Sequence, residues 1–147
     1  MSKPAKVNAA KLIGEKKPLY KTSFTDKDAI LYALGIGFSR GNKNDIYLDP
    51  LREQDFKYTN EFDSDFTPFP TMGVTINKAD LISVLANSEN FPNFNPFIIL
   101  HAEHKLIMVK DALQVGAEYE HEIEVIDCMD KGKNAFVLFR TNSYTIG

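Results

Sequence analysis

Two histidines three residues apart, His101 and His104 in HAEH, with Glu103 between them, are the clearest invitation to metal chemistry in this chain. Imidazole and carboxylate both suit zinc and its neighbours. Their segment, ILHAEHKLIMVK, reads as a strand, and residues three apart on a strand point to opposite faces, so the two rings would not converge on one ion. The zincin spacing, HExxH on a helix, is absent, and no metal site is expected. Nucleophilic chemistry fares no better. Cys128 is the only cysteine and has no histidine beside it in sequence, which suits a packed thiol better than a catalytic one. There is no GxSxG elbow and no phosphate-gripping GxxxxGK[ST], and Gly35-Ile36-Gly37 follows a helical stretch rather than a strand, which excludes a dinucleotide fingerprint. Glu118, Glu120, Glu122 and Glu124 alternate along one stretch and read as a solvated sheet face, not a cation site.

The stretch ILYALGIGFSRGNKND (30–45) is the remaining candidate, because a loop leaving a helix end is a common place for a catalytic acid and base. It contains no such pair. Across the whole chain, no aspartate has a histidine five positions later. No catalytic residue is assigned.

The elements that would position such groups can be read from periodicity and caps. The chain has 147 residues, a hydrophobic fraction of 44% and a net charge of -3, which fits one domain with a real core. The balance argues against nucleic acid as a partner, and no apolar run approaches the roughly 20 residues needed to span a bilayer. The first 22 residues carry six lysines and one glutamate and read as an exposed basic arm (1–22), without the apolar region of a secretory signal. Thr25 and Asp28 form a near capping box before a short helix at about 26–34, with Gly35 as its left-handed terminator. Residues 38–70 are irregular, and the aromatic FDSDFTPFPTMGV should pack down as an ordered loop. A second, more apolar helix is expected at about 71–88, with a break near Asn77. Residues 99–110, 118–127 and 135–146 read as strands, the last two joined by an Asp130-Lys131-Gly132 turn and therefore antiparallel. The apolar helix must cover the sheet face opposite the glutamates. The fold class is α+β.

Three stretches, YALGIG (32–37), DFTPFPTMGV (65–74) and LHAEHKLIMVK (100–110), together with AAKLIGEKKP and the VIDCMDKGK hairpin, resemble in order and spacing the N-terminal half of the MaoC-like hydratase 2 family. The resemblance implies a hot-dog fold over 23–147: an antiparallel sheet wrapped around a central helix at about 71–88, here lacking its last strand. It also implies a pseudo-dimer of two such halves. The partner half carries a Gly-Asp-x-Asn-Pro-x-His loop whose Asp and His hold the water that adds to a trans-2-enoyl-CoA, and the N-terminal half helps to accommodate the acyl tail. By that resemblance, Gly37 and Asn42 occupy the acid and histidine positions, where neither can transfer a proton. The look-alike NFNPFI (93–98) is treated as coincidence.

These considerations give an expected function. The chain would be the non-catalytic half of a (3R)-hydroxyacyl-CoA hydratase, inactive alone. It would offer Pro70, Thr71, Met72 and Gly73 to the acyl tail, and His101 and Glu103 to the interface with a second hot-dog domain or subunit. No cofactor is implied; a CoA thioester would be substrate or ligand. The rival expectation is a catalytically dead structural subunit among neighbours in a larger assembly. A thioesterase homodimer would need an acid on the central helix, for which Asp80 is the candidate. The compartment expected is the peroxisome or the mitochondrion, with the cytoplasm left open.

Overall fold

The computed structural model describes residues 6–38, 54–77, 81–110 and 112–146. In chain order its elements are helix α1 (Ala9–Leu12), strand β1 (Lys16–Ser23), helices α2 (Asp26–Gly35), α3 (Phe56–Thr59), α4 (Gly73–Ile76) and α5 (Leu81–Ala86), and strands β2 (Glu118–Asp130) and β3 (Ala135–Ile146), with 3-10 turns at Pro70–Met72 and Pro96–Ile98. The strands lie in the order β1-β2-β3. Glu15 accepts a backbone bond from Val125 at 2.9 Å and Phe24 one from Gly116 at 3.0 Å, so partner positions fall as β1 advances and the pair is antiparallel. The β2–β3 turn closes as expected, with Lys131 N donating to Asn134 O and Gly132 at positive φ. Contacts His121–Ser143 and Glu124–Arg140 sit symmetrically about Gly132, which fixes the hairpin register.

β2 alternates as its sequence requires. Tyr119, His121, Ile123 and Val125 are buried, while the glutamates face out. On that outer face Glu122 pairs with Lys16, and Glu124 with Arg140 at 2.8 Å.

The chain divides into two compact units. In the unit drawn from Met1–Lys21, Lys78–His104 and Glu120–Tyr144, Leu12, Val84, Leu85, Ile123 and Val125 form the core, flanked by Tyr20, Phe91, Phe94, Cys128, Val137 and Phe139. Glu15 ties it together: one carboxylate oxygen accepts from Ser88 Oγ at 2.8 Å and from Asn90 Nδ2 at 2.6 Å. In the unit drawn from Thr22–Asn77, Lys105–Tyr119 and Thr145–Gly147, the core is Phe24, Ala29, Met72, Ile76 and Tyr119. The capping box at α2 is present in full, with Thr25 and Asp28 bonding reciprocally.

Three expectations need correction. Residues 9–22 are not an exposed arm. Leu12 is 0% exposed at the centre of a core cluster, and Lys16–Ser23 is an edge strand. The apolar stretch 99–110 forms no strand; β1 takes the ladder position beside β2 instead. The break expected near Asn77 in the 71–88 stretch is present, where Asn77 leaves the helical region at φ -81, ψ 87 at the end of α4. The left-handed residue after α2 is Gly37, at φ +108, while Gly35 is still helical. Asn42 and Asp80 lie outside the described residues.

Candidate functional site

Helix α2 ends at Gly35, and Ile36, Gly37 and Phe38 turn the chain out of it. Gly37 makes that turn because φ +108 is open to glycine and strained for side-chain-bearing residues. Ile36, Gly37, Phe38 and Asp55 line a shallow pocket of about 260 Å³. Of these, Phe38 is held by aromatic packing. The Phe38 ring lies 4.9 Å from Tyr58 and 4.9 Å from Phe69, and Tyr58 meets Phe69 edge-on at 5.1 Å. The ordered packing expected of FDSDFTPFPTMGV is therefore present at Phe69, and at Phe66 against the core.

One turn back from the helix end, the Tyr32 hydroxyl is 2.8 Å from Thr71 Oγ1. That bond connects α2 to Pro70–Gly73. Pro70 and Thr71 are exposed there, whereas Met72 is 4% exposed and belongs to the core. Gly73 faces Leu106: a methyl at its Cβ position would stand 3.2 Å from Leu106 Cδ1 and 3.7 Å from Met108 Sδ. Pro70 and Thr71 thus present surface, Met72 supplies packing, and Gly73 allows a close approach by Leu106.

In the other unit, His101 and His104 are exposed and their ring centroids lie 5.6 Å apart. The opposite-face reasoning does not apply to them, since their segment is not a strand. The His101 ring is instead bonded through Nε2 to its neighbour's carbonyl, Glu103 O, at 3.0 Å. Among the described residues, no group of three or more His, Cys, Asp or Glu side chains is placed to hold a metal. His121 is fully buried, stacks on Tyr20 at 4.8 Å and bonds through Nδ1 to Ser143 Oγ at 2.7 Å. Burial lowers its pKa below the ordinary 6.5, so it is a neutral core histidine near neutral pH. The Cys128 thiol is pushed up by burial and by Asp127 and Asp130, the opposite of activation.

Sequence reasoning passed over Tyr32, Asp55, Leu106 and Met108. Tyr32 was within reach, as a tyrosine one turn before a glycine-spaced helix end. Asp55 and the Leu106–Met108 pair come to their places through non-local folding and left no local signal.

The helices and the antiparallel sheet, which is not closed, define an α+β fold of hot-dog class. The chain belongs to the MFE-2 hydratase 2 N-terminal domain family, whose family model matches residues 22–146. It is 29% identical over 133 residues to peroxisomal multifunctional enzyme type 2 of Mus musculus, covering 90% of this chain and 17% of the mouse protein. It is 24% identical to the probable enoyl-CoA hydratase 2 of Dictyostelium discoideum, over 91% of this chain and 41% of that protein. With the peroxisomal hydratase-dehydrogenase-epimerase of Neurospora crassa it shares 30% identity over 78% of its length and 11% of the fungal protein. The full-length peroxisomal multifunctional enzyme type 2 from Drosophila melanogaster superposes with a TM-score of 0.58 at 26% identity, over 86% of this chain and 20% of that one. The chain spans less than half the length of these relatives, which are larger proteins. No helix among the described residues is long and apolar enough to cross a membrane.

Proposed function

We propose that this chain is the non-catalytic half of a (3R)-hydroxyacyl-CoA hydratase, working in the reversible hydration of a trans-2-enoyl-CoA beside a second hot-dog domain that carries the catalytic Asp and His. Membership in the hydratase 2 N-terminal family carries the reading. Gly37 at the α2 exit supports the inactive assignment: a position with no side chain supplies no acid. The exposed Pro70 and Thr71 are the surface offered to the acyl tail, with Met72 packed beneath them and Gly73 against Leu106. His101 and Glu103 are exposed and offered to the partner half. The peroxisome is the proposed compartment, since the mouse and Neurospora relatives are named peroxisomal enzymes.

The test is hydration of crotonyl-CoA and longer enoyl-CoAs, followed as loss of the conjugated enoyl absorbance. The chain alone should give no turnover, and adding a polypeptide with the Asp-x4-His motif should restore it. Turnover by the chain alone would overturn the proposal. A stable complex without activity would favour a scaffold role instead.

A further inference from the structure

Strand geometry is what would keep His101 and His104 from sharing an ion, and residues 99–110 form no strand. Their ring centroids lie 5.6 Å apart, with the planes tilted by 51° rather than stacked flat. With nitrogen–metal bonds of about 2.0–2.1 Å, two imidazoles on one ion hold their centroids roughly 4.5–6.5 Å apart. The observed separation falls inside that interval. The χ2 torsion of histidine is broad, so each ring can turn its nitrogens toward a shared point at little cost. His101, Ala102, Glu103 and His104 line a hollow of about 250 Å³, which has room for an ion and its waters.

The hydrogen bond at His101 prepares that ring as a ligand. Glu103 O is a backbone carbonyl and only accepts, so Nε2 of His101, 3.0 Å away, carries the proton. In the neutral ring this leaves Nδ1 with its lone pair, the form that binds a metal. Metal-ligating histidines ordinarily donate their other ring N–H to a carbonyl or carboxylate in this way, which fixes tautomer and ring orientation. His121 has no such role, being fully buried against Tyr20 and Ser143. Among the described residues no third His, Cys, Asp or Glu completes the shell, so water fills the remaining positions. Two imidazoles and water suit zinc, nickel or copper, whereas magnesium and calcium ask for an oxygen shell. Both ligands come from one four-residue segment, so the pair is complete within itself.

We propose that His101 and His104 together bind a divalent first-row transition ion (zinc, nickel or copper) as an open site with two protein ligands. The inference stands apart from the hydratase reading, since no enoyl chemistry enters it. It is tested by isothermal titration of the full chain with zinc chloride and nickel chloride, with magnesium chloride as the control. One zinc or nickel ion per chain is expected, and no magnesium. His101→Ala and His104→Ala, at exposed positions that leave the core intact, should each weaken binding by about tenfold or more. Loss of an outer-shell partner alone costs about 10–100-fold. The neighbouring Lys105→Ala should bind as the parent chain does. In proton NMR the imidazole C–H signals of His101 and His104 should move on adding zinc, while those of His121 stay. Three results would each overturn the proposal: no uptake of either ion, equal uptake by the double variant of His101→Ala and His104→Ala, or magnesium bound as tightly as zinc.

Discussion

Replacing Leu12 with alanine removes three carbons from a site with no exposure to solvent, enclosed by Val84, Leu85, Ile123 and Val125. At about 0.8 kcal/mol per buried carbon, the lost transfer term is roughly 2.4 kcal/mol. The cavity adds to it, because strand β2 on one side and α5 on the other hold the walls apart, and the total should reach about 3–4 kcal/mol. Against the roughly 5–15 kcal/mol of a typical domain this is a large fraction. With a urea slope of about 2 kcal/mol/M, the unfolding midpoint should fall by roughly 1.5–2 M. Equilibrium urea unfolding followed by far-UV circular dichroism gives the number directly. Lys11→Ala, one residue away on the exposed side of α1, serves as the control and should stay within about 0.5 kcal/mol. If Leu12→Ala also falls within about 0.5 kcal/mol, residues 9–12 are not part of the core and the reasoning about this unit fails.

Four further outcomes follow from named contacts and burial. Glu15→Ala leaves Ser88 and Asn90 without their shared acceptor and should cost about 1–3 kcal/mol in the same urea assay. Tyr32→Phe removes only the bond to Thr71 and should cost no more than about 1 kcal/mol. Folding stability should depend on pH through His121. Burial depresses its folded pKa below the ordinary 6.5, so the unfolded chain takes up the proton first. Its contribution is complete above that value and is lost as pH falls from 6.5 toward the folded pKa, and in His121→Gln this part of the slope should disappear. On the alkaline side Tyr20, pushed up by burial from 10.0 to about 12, should cost stability as pH rises through that interval.

What could be read in advance was local. Thr25 and Asp28 announce α2 because a capping box involves only four consecutive residues, and β2 declares itself because alternation of buried and charged side chains is complete within one strand. β1 escaped notice: Lys16, Lys17 and Lys21 give it a polar surface, and its place is set by pairing with β2 more than ninety residues later. Residues 99–110 erred in the opposite direction, having strand-like composition but no ladder partner among the described residues. At the site, the turn at Gly37 was visible as a glycine. Its contacts were not: Asp55 in the pocket wall, Thr71 against Tyr32 and Leu106 against Gly73 all depend on distant segments meeting.

Gly37 also limits what substitution can do at the α2 exit. Among the described residues, no atom lies within 4 Å of where a Cβ would sit, so space does not exclude a side chain there. The backbone at φ +108 is what resists it. A side chain introduced at Gly37 would therefore begin from a strained turn, and a second change, in the turn itself, would be needed before it could be held still.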